Sequence, residues 1–319
     1  MKIYLADSAI RAEQIDAIRS RLPSDWSLVD SADGATAILT ENVDITPAMI
    51  TAAGAALRLV VRLDTGHATT PDDLAAPVID LPNTALIGVA EHTVMLIMAL
   101  SRRLLAVIRQ TNAQQWLPER SQPILTDQRR YTYNWIGLQD WGTLYGKTVG
   151  LVGLGLIGRA TAARLRGFGM RLLYTQRHRL DPLSEARCGV QWREFDDLLA
   201  ESDFVSLHHR FQEGPEGNDK HIGERELALM KPTAYLINTA RGRLVDEDAL
   251  VAALRRGQIA GAGLDVFRHE PLPVDSPLWA LAGDNVILTP HVAGAPLADA
   301  WTTIAQELIE HVQYIIQSE

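Results

Sequence analysis

The chain holds a single cysteine, Cys188, among 319 residues. One thiol excludes an internal disulfide and any cysteine-cluster metal site, and no metal site is expected from the other ligand types either. An isolated thiol of this kind reads as inert. Long apolar runs are also missing. The longest covers residues 94–100, far short of the roughly 20 that span a bilayer. The opening MKIYLADSAI has one lysine and no apolar stretch of the secretory type, so a cytoplasmic protein with no membrane partner is expected. Basic side chains are outnumbered, 30 to 39, for a net charge of −9. Phosphate polymers attract a basic face, so nucleic acid is not an expected partner. A small anion held at one local basic site is still compatible with this balance.

What is present is ordinary for a folded protein: 47% apolar and 22% charged residues. At roughly 100–200 residues per domain the length suggests two domains. Short β-branched or Leu-rich runs alternate with amphipathic stretches, which predicts an α/β fold with parallel sheets. Strands are expected over 2–6, 26–29, 37–40, 57–62 and 78–81, with helices over 10–21 and 46–53. Asp44 or Thr46 is the candidate cap of the second helix. One long helix is expected over 89–110. Its segment 94–100 is apolar on every face, which calls for burial all round, as in a helix joining two domains or packing on a second subunit. A second unit begins at Lys147, with strands over 148–152, 171–175, 203–208, 234–238, 261–266 and 285–289. Helices fall at 157–167, 195–200, 224–230 and 247–255, and a final amphipathic helix over 297–316. Six strands with crossover helices fit one doubly wound sheet.

Between the two units, residues 113–146 show no period yet hold six of the 19 aromatics: Trp116, Tyr131, Tyr133, Trp135, Trp141 and Tyr145. Long irregular stretches in compact domains are uncommon and often functional. Two readings stand: an arm packing on a partner subunit, or aromatics lining a substrate pocket.

The stretch KTVGLVGLGLIGR carries Gly153-x-Gly155-x-x-Gly158 between an apolar strand and a helical period. In that context Gly153 permits a tight turn, Gly155 lets backbone approach a pyrophosphate, and Gly158 lets helix and strand pack closely. The first helical residues, Leu156 and Ile157, then offer free N–H groups to phosphate. The following strand ends in Tyr174-Thr175-Gln176-Arg177-His178-Arg179, with no acid before Asp181. An acid here would hold the ribose 2′-OH of NAD and repel a 2′-phosphate. Gln176 does not repel one, and Arg177 can pair with a phosphate through its planar fork. Residues 171–180 hold three arginines and no acid inside an acidic chain. This pattern favours NADP(H). The alternative, solvated Arg177 and Arg179 with NAD(H) held by neutral hydrogen bonds, stays open.

Three strand ends carry polar residues where a doubly wound sheet places its ligand crevice: Arg241 in INTARG, Glu270 in LDVFRHEP and His291 in LTPHVAG. Each alone has an ordinary reading as a surface Arg, a solvated Glu or a core His. Together, beside a nucleotide fold, they supply what reduction of a 2-oxo acid needs. Arg holds the substrate carboxylate, His protonates the carbonyl oxygen as hydride arrives, and Glu favours the imidazolium.

The segments VAEHTVMLIMALSRR, GKTVGLVGLGLIGR, LALMKPTAYLINTARGRLVDEDAL, GAGLDVFRHEPLP and NVILTPHVAGA, in this order, resemble the D-isomer-specific 2-hydroxyacid dehydrogenases of the glyoxylate and hydroxypyruvate reductase group. The resemblance implies two doubly wound domains, a Rossmann NAD(P)-binding domain over 102–291 inserted in a flavodoxin-like substrate domain formed by 1–101 and 292–319, with the active site in the cleft. It implies catalytic roles for Arg241, Glu270 and His291, a nicotinamide contact for Asp265, a backbone contact to cofactor at Ala240, and a homodimer. It implies a reductase of a 2-oxo acid to the D-2-hydroxy acid. The alternatives are a dinucleotide-sensing regulatory protein on the same fold, or a relative that oxidises another small anion.

Three departures from the family pattern matter. The loop whose backbone binds the substrate carboxylate reads Asp64-Thr65-Gly66, with an acid in place of the first glycine. That acid disfavours an anionic substrate unless it points away or pairs with Arg62 or His67. His208-His209-Arg210 replaces Leu-His-x-Pro, and Arg210 is a candidate to stack on adenine or reach a 2′-phosphate. The aromatic segment 113–146 departs most, and Trp135 is its candidate for shaping the acyl-group pocket.

Overall fold

The computed structural model describes residues 1–6, 12–40, 43–63, 69–71, 74–81, 85–215, 217–294 and 297–317. The chain divides into two compact units, Met1–Gly88 with Gly294–Glu319, and Val89–Ala293.

In the first unit, β1 (Lys2–Leu5), β2 (Ser27–Val29), β3 (Ala37–Thr40), β4 (Leu59–Leu63) and β5 (Val78–Leu81) form a parallel sheet in the order β2-β1-β3-β4-β5, a flavodoxin-like order. Successive side chains of a strand point to opposite faces. Leu39, Leu59 and Val61 therefore face α1 (Ala12–Arg19) and the last helix, through Ile18, Ala305, Leu308 and Val312. Ile38 and Val60 face the other way, onto Ile45 and Ala53 of the α2 (Pro47–Ala53) region. Both faces are covered, as a parallel sheet requires. Of the two candidate caps, Thr46 caps α2 by accepting the Met49 N–H at 3.3 Å. Asp44 instead holds the Thr69 backbone and hydroxyl, at 2.7 and 2.8 Å.

The expected helix over 89–110 is two helices, α3 (Ala85–Ser101) and α4 (Leu104–Asn112), broken where Arg103 takes a left-handed conformation at φ 49°. The helix end is captured by the irregular segment beyond it. Gly142 N–H donates to the Ser101 carbonyl at 2.9 Å, Arg102 lies 4.3 Å over the Trp141 ring, and Arg103 donates to the Gln139 carbonyl at 3.1 Å. Burial all round is not reached within the single chain, where Met95 and Met98 are 46% and 40% exposed. The other face, with Val94, Leu96, Ile97, Ala99 and Leu100, belongs to the core of the second unit. That packing puts the domain boundary at residues 88/89 rather than 101/102, and the later one at 293/294.

The second unit holds a seven-stranded parallel sheet built from β6 (Thr148–Val152), β7 (Arg171–Thr175), β8 (Gln191–Trp192), β9 (Phe204–Leu207), β10 (Tyr235–Asn238), β11 (Gly261–Leu264) and β12 (Val286–Leu288). Its order, β12-β11-β10-β9-β6-β7-β8, reverses direction at β6, which is the topological switch point of a dinucleotide-binding sheet. α5 (Leu156–Arg166), α6 (Pro182–Cys188), α7 (Phe195–Glu201), α8 (Glu224–Leu229) and α9 (Glu247–Arg255) supply the crossovers. α6 and β8 add to the expected elements. Asp181 is the cap of α6, accepting the Leu183 and Ser184 N–H groups at 3.0 Å each. The closing α10 (Leu297–Gln317) returns to the first unit. Among the described residues no helix is long and apolar enough to cross a membrane, and no three His, Cys, Asp or Glu side chains cluster as metal ligands would.

Candidate active site

The cofactor and catalytic candidates of the second unit lie in the loops, or in the first turn of α5, that follow the C-terminal ends of its strands. Val152 pairs in register with Thr175 on one side and Leu207 on the other, so the loops after β6, β7 and β9 emerge side by side. Gly153 has φ 96°, and a Cβ there would stand 2.8 Å from the His209 backbone nitrogen. A Cβ on Gly158 would stand 2.5 Å from the Gly153 carbonyl oxygen. Both glycines are required by the turn itself. Gly155 differs, since a Cβ there would meet nothing within 4 Å. Packing within the protein does not demand glycine at 155, but a cradle that admits a ligand against the backbone does. The N–H groups of Leu156, Ile157 and Gly158, in the first turn of α5, have no intrahelical carbonyl to bond. These features fit a pyrophosphate.

Gln176 follows β7 and is tied to the same turn. Its Oε1 accepts the Leu154 N–H at 3.2 Å, and its Nε2 donates to the His178 carbonyl at 2.7 Å. The cationic stretch 171–180 is largely neutralised. Arg179 is held by Glu185 at 2.7 and 3.0 Å, and Arg171 by Glu201 at 2.6 Å. Arg177 is exposed, donates to the neutral Gln212 Oε1 at 3.0 Å, and forms no ion pair among the described residues. With Gln176, Arg210, His209, His221 and Asn218 it lines a cavity of about 490 Å³. His209, His221, Gln212 and Asn218 were not among the candidates; they sit in the turn-rich loop after β9.

The histidines here are neutral. His208 Nε2 lies 2.9 Å from Ser206 Oγ, and its buried Nδ1 has no partner among the described residues. Burial of the ring, with His209 beside it, pushes His208 down to about 3. Burial and the neighbouring His221 push His209 down to about 4, against the Val152 carbonyl. The unfolded chain therefore binds more protons than the folded one below about 6.5. Stability is complete above that pH and falls as pH drops toward the folded values, on the order of 1.4 kcal/mol per pH unit for each histidine. A urea midpoint that declines clearly from pH 7 to pH 5 is expected. A flat midpoint over that range would contradict the neutral burial of these rings.

The candidate catalytic residues converge past β10, β11 and β12. Arg241 follows an Asn238 bridge, in which Oδ1 accepts the Ala240 N–H at 3.0 Å and Nδ2 donates to the Arg241 carbonyl at 2.9 Å. Its exposed guanidinium donates to the Ala240 carbonyl at 2.6 Å and makes no ion pair among the described residues. His291 Nδ1 stands 2.6 Å from Glu270 Oε2, and the other Glu270 oxygen accepts the Phe267 N–H at 3.0 Å. Burial pushes the Glu270 carboxyl up, but the bonds from His291 and Phe267 and the charges of His291 and Arg241 hold it below its usual range. Glu270 is thus an anion fixed against an imidazole whose side chain is 50% exposed.

His291 has φ 55°, a strained backbone for a residue with a Cβ. Asp265 enforces it. Its carbonyl accepts the His291 N–H at 2.8 Å. Its wholly buried carboxylate accepts Thr289 Oγ1 at 2.5 Å and the Val292 and Ala293 N–H groups at 3.0 and 2.9 Å. Asp265 is therefore a strut for the His291 loop, a role not apparent in the sequence. Asp64, Thr65 and Gly66 lie outside the described residues. Trp135 lines a cavity of about 440 Å³ with Tyr133, Trp141, Leu104 and Val107, and none of the three catalytic candidates borders it.

A chain built this way is a dinucleotide-binding protein of the doubly wound class. Residues 94–293 match the NAD binding domain of the D-isomer specific 2-hydroxyacid dehydrogenases. A glyoxylate reductase of Korarchaeum cryptofilum (strain OPF8) is 37% identical over 273 residues, 84% of this chain and 75% of that protein. The NAD complexed form of a D-isomer specific 2-hydroxyacid dehydrogenase from Lactobacillus delbrueckii ssp. bulgaricus has the same fold, with a TM-score of 0.66 and 24% identity over 100% of this chain and 98% of that one. A glyoxylate reductase from Paecilomyes thermophila aligns with a TM-score of 0.61 at 25% identity, covering 97% of this chain and 94% of that one. The chain belongs to the D-isomer specific 2-hydroxyacid dehydrogenase family.

Proposed function

We propose that the protein reduces a small 2-oxo acid of the glyoxylate or hydroxypyruvate type to the D-2-hydroxy acid. The observation that carries this reading is the His291–Glu270 pair at 2.6 Å, at the same edge of the sheet as the glycine cradle and Arg241, which makes no ion pair among the described residues. The bound nicotinamide dinucleotide supplies the hydride. Arg241 binds the substrate carboxylate with the N–H groups its own carbonyl contact leaves over, and its charge polarises the adjacent carbonyl. Nε2 of His291, the ring nitrogen turned away from Glu270, gives its proton to the carbonyl oxygen. Glu270 holds the ring in that orientation and favours the imidazolium that must be present before the step. In the oxidative direction the same nitrogen takes the proton back. Asp265 keeps one lone pair for a donor such as the cofactor's carboxamide, and Ala240 offers backbone nearby.

For the cofactor we propose NADP(H). Gln176 is neutral where an acid would repel a 2′-phosphate, and Arg177 and Arg210 line the same cavity. The test is a matrix of NADPH and NADH against glyoxylate, hydroxypyruvate, pyruvate and phenylpyruvate. Turnover with NADPH is expected to be the more efficient. Arg177→Ala should lower kcat/KM for NADPH by about 10- to 100-fold, the worth of a charge-assisted bond, with little change for NADH. A hundredfold preference of the unaltered protein for NADH would refute the choice. Binding of reduced cofactor without turnover of any 2-oxo acid would refute the enzyme reading in favour of a dinucleotide sensor.

We also propose a homodimer. Met95 and Met98 of α3 and Leu104, Leu105 and Ile108 of α4 are 40–47% exposed in the single chain, an apolar row of the kind that marks an interface. Light scattering should give twice the mass of the chain, and a monomer at micromolar concentration would contradict it.

A further inference from the structure

α3 is apolar except for its turn Glu91-His92-Thr93 and its last residue. Glu91 faces outward to Arg164 at 2.9 Å. The next two residues reach the two catalytic loops. His92 Nε2 lies 3.0 Å from Thr289 Oγ1 and 3.6 Å from Asp265 Oδ1. Thr289 has one hydroxyl proton, and it goes to Asp265 at 2.5 Å. Thr289 therefore accepts from His92, which fixes a proton on Nε2 of that ring. Thr93, wholly buried, donates to the Val89 carbonyl at 2.8 Å and stands 2.8 Å from Thr239 Oγ1. With its own proton on Val89, Thr93 accepts from Thr239.

Thr239 stands two residues before Arg241, and Thr289 two residues before His291. Neither catalytic residue is in a strand: β10 ends at Asn238 and β12 at Leu288. Each loop is thus tied to α3 two residues before its functional side chain, by neighbouring residues of one rigid helix. We propose that His92 and Thr93 form a shared brace that sets the separation of Arg241 and His291. His92 is a positioning residue for His291 through Thr289 and Asp265, and Thr93 is one for Arg241 through Thr239. The strained His291 backbone needs such support, since a conformation of that kind persists only where its surroundings over-determine it. Asp265, buried and without a Lys or Arg partner among the described residues, orients the loop correctly only while Thr289 presents its proton. His92 ensures that by occupying the lone pair on the other side.

The inference rests on the reductase reading, and its test separates the two. His92→Leu removes the donor at similar volume. His92→Gln restores it, because the Gln amide nitrogen reaches the place of imidazole Nε2. His92→Leu is expected to lower kcat by about 10- to 100-fold, the cost of a lost buried bond, with KM for the 2-oxo acid within about threefold of the unaltered protein. His92→Gln should recover most of the loss. Thr93→Val should raise KM for the 2-oxo acid as well as lower kcat, because its loop carries Arg241, which binds the carboxylate and polarises the carbonyl. Hydrogen exchange gives a readout that needs no turnover. The Val292 and Ala293 amides should exchange faster in His92→Leu and at the original rate in His92→Gln. Unchanged exchange in His92→Leu, or equal impairment of the Leu and Gln variants, would overturn the brace. If the unaltered protein reduces no 2-oxo acid, the reductase reading fails on its own, and the exchange comparison still decides the role of His92.

Discussion

His291→Asn is expected to lower kcat by about 100- to 10,000-fold, the usual worth of a positioned general acid, without unfolding the protein. The side chain is half exposed, and its partner among the described residues is Glu270 at 2.6 Å, so its loss opens no core cavity. Asn is the substitute of choice because residue 291 has φ 55°, a region Asn tolerates better than most residues. The backbone bonds from Asp265 to residues 291–293 do not involve the imidazole and should persist. Dinucleotide affinity, followed by fluorescence titration, should stay close to that of the unaltered protein. A kcat within tenfold of the original would remove His291 from the proton transfer.

Arg241→Ala should be comparably severe but different in kind. Two charge-assisted bonds to a carboxylate are lost, for a fall in kcat/KM on the order of 10³-fold. In the proposed role the guanidinium holds the substrate before the reaction and stabilises the oxyanion during it, so KM should rise and kcat fall together. Arg241→Lys should recover little, since an ammonium cannot reproduce a two-pronged contact. Steady-state kinetics with the best 2-oxo acid decides the matter, and near-original efficiency in Arg241→Ala would exclude the residue from the site. Cofactor KM should move little, because the proposed cofactor contacts are made by the glycine cradle and the loops after β7 and β9 rather than by the Arg241 side chain.

Why some of this was legible in the sequence and some was not follows from the range of the interactions. The cradle at 153–158 is local: strand period, glycine spacing and helix period all lie within a few residues. Arg241, Glu270 and His291 could be named because each follows an apolar run, and strand ends are where such sheets bind ligands. The break between α3 and α4 left no trace, because Ser101-Arg102-Arg103 contains neither Pro nor Gly, and residues 139–142 impose the break from a distance. β8, at two residues, is too short to show a period. α6 did have a signal, Asp181 followed by Pro182, a cap and a first-turn proline. Segment 171–180 shows three arginines and no acid of its own, but Glu201 and Glu185, from farther along the chain, pair with two of them and leave Arg177 outside an ion pair among the described residues. The brace on α3 spans 197 residues from His92 to Thr289 and 146 from Thr93 to Thr239. Its only trace is a polar pair set in an apolar helix.

Transfer of deuterium tests the central claim most directly. NADPH carrying deuterium at the transferable position of its nicotinamide is incubated with hydroxypyruvate and the protein, and the product is examined by NMR and chiral chromatography. D-Glycerate with one deuterium at C2 is the predicted result. L-Glycerate, or cofactor that binds and is never oxidised by any 2-oxo acid offered, would contradict the account.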